Sequence, residues 1–233
     1  MGIRHTATAS FLFIIVCFSA FSGNKLRGLP DDSIRFENGL ISMELKNERL
    51  DAAVLNTVGM YDTSSGQPVH SDEPILNWLI HPQVGDLVTI KLSGVTKQEA
   101  VRQILLRSTI GRFSTGTKSK KFPDGNIMVL VPYEKTLNPD FMNQFVDINN
   151  KTYSDKRVFL DLYWVQREDI FRLLSEVMKK KITLHERCKG GIVIRCDNLP
   201  ADMLLDLICA LLEFKIDTDL ETGNIHISPK NPR

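Results

Sequence analysis

This sequence is short of net charge, of long hydrophobic runs and of cysteine. Lys and Arg total 29 against 28 Asp and Glu, so no excess of either sign draws nucleic acid or an anionic membrane surface, and neither is expected as a partner. The basic spots Lys118-Ser119-Lys120-Lys121 and Lys179-Lys180-Lys181 read as solvated turns. Beyond residue 22 no apolar stretch approaches the ~20 residues of a membrane-spanning helix. Of 4 cysteines, Cys188, Cys196 and Cys209 lie beyond that point; such a set is too small for the disulfide framework of a small secreted domain. An oxidising compartment would allow one disulfide among them. Cys196 and Cys209 read equally well as small buried apolar residues.

Catalytic signatures are missing as well. The chain has no Gly-x-Ser-x-Gly, no phosphate-cradling glycine-rich loop and no His-Glu-x-x-His. The nearest approach to a metal site, His185-Glu186-Arg187-Cys188, crowds its donors into one turn with no second cluster, so it reads as a solvated hairpin. His226 reads as the exposed side of a strand, and His70 and His81 are isolated. Asp217, Asp219 and Glu221 alternate as calcium ligands do, but the spacing around Gly223 is wrong for that loop. The expectation is a protein without catalysis, cofactor or metal.

Among what is present, the N-terminus stands out. Arg4 and His5 precede an unbroken apolar run from Phe11 to Phe21, followed by Ser22 and Gly23. That layout predicts a secretory signal peptide over residues 1–22, cleaved after Ser22, and hence an exported protein without a transmembrane anchor. A lipoprotein attachment through Cys17 is disfavoured because Val16, ahead of it, is not small.

The rest carries an internal repeat. Leu87 to Leu105 lines up without a gap against Gly191 to Cys209. Val88, Ile90 and Leu92 match Ile192, Ile194 and Cys196, the period-two alternation of a strand buried on one face. Lys91 and Arg195 sit on the other face. Thr96 and Pro200 open a helix in each, with Glu99 and Asp202 close behind. The buried stripe is Ala100, Val101, Ile104 and Leu105 in one helix, and Leu204, Leu205, Ile208 and Leu211 in the other. A Gly-Asn turn then leads into a last strand, at Gly125 and again at Gly223.

Each unit is preceded by another strand and helix. In the second copy these are Val158–Trp164 and Arg167–Lys180, with Ile170, Leu173, Leu174 and Val177 inward, followed by a strand Lys181–His185. In the first they are Leu40–Leu45 and Leu50–Tyr61, with Leu50, Val54 and Val58 inward. There an insertion near 62–74, rich in Ser, Gly, Asp and Pro, precedes a strand Ile75–Ile80. The predicted fold class is α+β: two tandem βαββαββ modules over residues 33–133 and 155–229, each with two helices between small mixed sheets. A linker spans 134–154, in which Phe141, Phe145, Val146 and Ile148 suggest a short docking helix.

The second copy resembles the secretin and TonB short N-terminal domain. The resemblance rests on Val158 through Leu174, the Lys189-Gly190-Gly191 turn, the strand Ile192–Arg195, the Asn198-Leu199-Pro200 helix start, the helix to Leu212 and the closing Gly-Asn-Ile strand. It covers about 75 residues well, and the first copy more loosely. The family implies two helices between a two-stranded and a three-stranded sheet, in the periplasm of a double-membraned bacterium, used as a contact module. Secretins use it to dock inner-membrane partners of secretion or pilus machines, and transporters use it to signal to an inner-membrane regulator. A sequence ending at Arg233 leaves no room for a ring domain, plug or β-barrel, so only the contact role is carried over.

The resulting expectation is an exported, non-enzymatic adaptor or assembly protein of the bacterial envelope, periplasmic or associated with the outer membrane. Its expected partners are envelope proteins such as a secretin-type or inner-membrane platform component. The alternative is a ligand-sensing module with the 62–74 insertion as a lid. Trp78, beside that insertion, and Tyr163 and Trp164, at a strand end, are the candidate contact residues, set against a role as cover for a small core. Unpaired sheet edges that accept a partner strand are the expected mechanism.

Overall fold

The structure, a computed structural model, describes residues 33–59, 77–108, 110–115, 127–154 and 156–230. It is mixed α+β. In chain order the elements are β1 (Ile34–Glu37), β2 (Leu40–Arg49), α1 (Leu50–Gly59), β3 (Asn77–Ile80), β4 (Leu87–Val95), α2 (Lys97–Leu106), β5 (Ile110–Thr115), β6 (Ile127–Pro132), α3 (Tyr133–Thr136), α4 (Pro139–Asn149), β7 (Arg157–Gln166), α5 (Arg167–Met178), β8 (Ile182–Leu184), β9 (Gly191–Pro200), α6 (Ala201–Leu211), β10 (Phe214–Thr218) and β11 (Ile225–Pro229). The insertion near 62–74, the predicted leader and the Gly125 turn lie outside the described residues.

Local sequence explains most boundaries. Asn38 and Gly39 both take positive φ, 52° and 77°, the turn that joins β1 to β2 with the twist a hairpin needs. Thr96 caps α2 by accepting the Glu99 N–H at 3.2 Å, and Asn138 caps α4 by accepting from Asp140 and Phe141, with Pro139 in the first turn. The β10–β11 hairpin is closed by Asp219, whose Oδ1 accepts the N–H groups of Glu221 and Thr222 at 2.8 and 3.2 Å. That explains the alternating acids at 217–221 as turn chemistry.

The strands form three sheets, ordered β1-β2-β4, β10-β11-β8 and β5-β6-β3-β9-β7. The third spans the two halves of the chain. Within it β3 runs parallel to β6 and antiparallel to β9, with Trp78, Leu79 and Ile80 opposite Arg195, Ile194 and Val193. Its central strands are buried on both faces, and their period-two alternation feeds two cores. Leu79, Ile127, Val129, Val131, Ile192 and Ile194 belong to the core with α4, α5 and α6. Trp78, Ile80, Leu130 and Val193 belong to the core with α1 and α2.

Within residues 134–154 the short docking helix that the sequence suggests is α4, which lays Phe141, Phe145 and Ile148 into the core against α6 while Val146 stays exposed. The chain after it is tied back by Lys151 and Tyr153, bonded to Asp206 at 2.7 and 3.1 Å, and by the Ser154 N–H on Asp202 at 2.8 Å. As a result α6 is buried beyond one stripe. Met203, Leu207, Cys209 and Ala210 are buried along with the predicted stripe, so the helix is apolar except on the side of Asp202 and Asp206, which hold the chain after α4. α1 is likewise buried from Asp51 to Thr57, beyond the stripe of Leu50, Val54 and Val58.

Candidate interaction site

The three aromatic candidates have separate fates. Trp78 sits in the central strand β3 at 0 % exposure, so its side chain offers no surface to a partner. Its Nε1 is buried without a hydrogen-bond partner among the described residues, a cost that apolar packing of the ring offsets.

Tyr163 and Trp164 lie on β7, where the register with β9 shifts between Leu162 and Val165. Trp164 occupies the bulge with φ 52°, which turns its indole away from the strand alternation and toward the first half of the chain. There Nε1 donates to Asp51 Oδ2 at 3.1 Å. Arg49 donates to both carboxylate oxygens of Asp51, at 3.0 and 2.7 Å, and its guanidinium stands 4.9 Å from the Trp164 ring centroid. The Asp51 hydrogen bond raises the Arg49 pKa, while burial, then the Asp51 charge, pushes the Tyr163 phenol up. Asp51 is buried at the first turn of α1, where the helix dipole favours its charge. The cluster therefore ties β7 to α1. Trp164 stays 36 % exposed, so it is a strut with one open side. Arg49 and Asp51 are its unforeseen members; the sequence cue was the Arg-x-Asp spacing at a strand-to-helix junction.

Gly191 makes room for this strut. A Cβ there would lie 2.5 Å from Trp164 Cε3 and 3.0 Å from Cζ3, closer than packed atoms tolerate. Gly191→Ala is expected to displace the indole from Asp51 and destabilise the fold by about 1–3 kcal/mol. A urea midpoint unchanged from wild type would mean that the ring is not held.

The sheet edges are the other candidates. β1 and β4 close one sheet, β10 and β8 another, β5 and β7 the third. β4 opens with Leu87 at 59 % exposure, and Ile182 and Leu184 of β8 are only half-buried, although they point at the core beneath. Outer strands with incompletely covered apolar side chains are where strand addition is least costly.

The remaining polar candidates serve the fold. His185 Nδ1 accepts the Arg187 N–H at 3.2 Å in a single 3-10 turn that turns Cys188 inward. Cys188, Cys196 and Cys209 are all buried, and Cys188 and Cys209 are free thiols whose pKa burial raises, so the single disulfide the sequence allowed is not formed. Buried neutral thiols are unreactive.

His81 follows β3, its Nδ1 accepting the Gln83 N–H at 3.1 Å. Burial, then the charges of Lys135 and Arg167 against that of Glu213, pushes its pKa down to about 4. The folded state keeps the ring neutral, whereas the unfolded chain binds a proton below about pH 6.5. The unfolded state thus holds more protons between about pH 6.5 and 4, and stability falls as pH drops through that window, by at most about 3 kcal/mol. His81→Gln is expected to flatten this dependence in urea titrations from pH 7 to 4; an identical slope in both proteins would show that the ring is solvated.

No family model matches the chain, and no curated protein matches it.

Proposed function

We propose that this chain is an exported, non-enzymatic protein-protein interaction protein of the bacterial envelope, built from two tandem βαββαββ modules related to the secretin and TonB short N-terminal domain and working as an adaptor or assembly component. The observation that carries the reading is the β3–β9 pairing. One module extends the sheet of the other by adding a strand, the mode of contact that is proposed for outside partners.

The tandem relation draws support from details that sequence spacing does not force. β2–β4 and β7–β9 share register: Ile41, Met43, Glu44 and Leu45 oppose Val95, Leu92, Lys91 and Ile90 as Val158, Leu160, Asp161 and Leu162 oppose Leu199, Cys196, Arg195 and Ile194. Both pairs shift register at the same two places. Left-handed residues recur at Asn47 and Trp164, and again at Gly94 and Asn198. The acid-base pairs Glu44–Lys91, at 2.9 Å, and Asp161–Arg195, at 3.5 Å, cross the same rung. The turn after β3 and that after β8 match as well. In each a histidine, His81 or His185, accepts on Nδ1 from two residues on, and its carbonyl accepts from Val84 or Cys188.

Export, near-neutral charge and the family resemblance place the partner among envelope proteins. The test is capture in the periplasm of the source bacterium, with a photo-crosslinking residue at exposed outer-strand positions Arg35 of β1 and Lys215 of β10. Enrichment of a secretin, a pilus component or an inner-membrane platform protein over a chain labelled away from the edges is the expected result. Recovery of the chain alone at both positions would overturn the adaptor reading.

A further inference from the structure

We infer that copies of this chain add to one another head to tail, with β8 of one copy pairing antiparallel to the free edge of β4 in the next. The inference rests on the tandem reading and takes the junction inside the chain as its template. β3 has a neighbour on each side, β6 and β9, whereas β8, its counterpart, has only β11 among the described residues. β9 likewise has two neighbours, β3 and β7, while its counterpart β4 has only β2 among the described residues. One used tail edge and one used head edge meet inside the chain. Among the described residues the same two edges remain open at its extremes.

The counterparts can be set residue by residue. The matched histidine turns place Trp78, Leu79 and Ile80 on Ile182, Thr183 and Leu184, and the sequence repeat places Arg195, Ile194 and Val193 on Lys91, Ile90 and Thr89. The internal rungs Trp78–Arg195, Leu79–Ile194 and Ile80–Val193 therefore translate to Ile182–Lys91, Thr183–Ile90 and Leu184–Thr89 between copies. The outer rungs keep their character, an apolar side chain beside the stem of a cation and an aliphatic beside a β-branched residue. At the centre the exposed Thr183 stands opposite Ile90 where the buried Leu79 stands opposite Ile194. The brevity of β8 is no obstacle, since the internal junction also consists of those rungs alone. Burial agrees. Trp78 and Ile80 are fully covered, whereas Ile182 and Leu184 are half-buried for want of the neighbouring strand.

Because the two edges differ, the contact is heterologous, and each copy added leaves both kinds of edge open, so assemblies grow beyond a dimer unless they close into a ring. Two full-length chains test it, each with Cys17→Ser, one carrying Lys91→Cys and the other Ile182→Cys. Mixed under mild oxidation, they are expected to give a crosslinked dimer about ten-fold above either chain alone. Thr183→Cys, which faces the other side of the sheet, is expected to fail with Lys91→Cys. The chain without introduced cysteines should show species larger than a dimer in sedimentation velocity as concentration rises. A single monomeric boundary at every concentration, or crosslinking of one variant with itself at the level of the mixture, would overturn the inference. The adaptor reading stands or falls separately: partner capture at Arg35 or Lys215 with no mixed crosslink refutes self-addition alone, and a mixed crosslink with no captured partner refutes the adaptor role alone.

Discussion

Phe141→Ala is expected to destabilise the protein by about 3–5 kcal/mol, as for a fully buried core aromatic. Phe141 is 1 % exposed and packs edge-on against Phe145, with ring centroids 5.4 Å apart. It is held from outside as well, since the Lys135 ammonium lies 5.3 Å from its ring and is itself ion-paired with Glu213. Truncation would open a cavity between α4 and α6 and leave part of the apolar surface of α6 poorly covered. Urea unfolding followed by far-ultraviolet circular dichroism measures the effect. A loss below about 1 kcal/mol, the scale of a surface change, would return residues 134–154 to the status of a linker.

Leu79→Ala tests whether the two halves are one cooperative unit. Leu79 belongs to the first half by sequence, yet its side chain enters the core built by the second, while its neighbours Trp78 and Ile80 enter the other. The expected cost is about 2–5 kcal/mol, and it should not stay local. Amide exchange protection in β9, across the junction, is expected to fall together with that in β3 and β6, in a single unfolding transition. Two separate transitions, with β9 keeping wild-type protection, would mean that the shared sheet couples the halves only weakly.

How much of this was legible beforehand depends on how local its cause is. Strand alternation at Val88, Ile90, Ile192 and Ile194, the Thr96 cap and the stripe of α5 follow from nearest neighbours in sequence, and they were readable. The Asn38-Gly39 turn into β2 is equally local in its cause, since both residues take positive φ. The Gly-Asn match between the last strands was readable but misleads by one residue. On the proposed tandem relation, Pro132 and Pro229 oppose the strand starts Ile110 and Phe214, which sets Met128, not Ile127, beside Ile225. Turn residues mark where a strand begins, but pairing sets its register, and one residue of slip exchanges its faces.

The candidate site divides in the same way. Trp164 was singled out from sequence, but its bonding to Asp51 and Arg49 spans more than a hundred positions and depends on a bulge and on the bare backbone of Gly191. For Trp78 the sequence leaves two readings, a contact residue beside the insertion or cover for the core, and its 0 % exposure gives the second. Whether a short apolar strand is outer or central depends on what pairs with its far side, and β9 is remote in sequence. Composition, the repeat and periodic alternation thus settle most of the kinds of element and their order, because these depend on local chemistry along the chain. Which strands share a sheet, which aromatic is buried and which edges stay open are decided only by long-range pairing, since backbone hydrogen-bonding groups are the same in every strand and carry no address of their own.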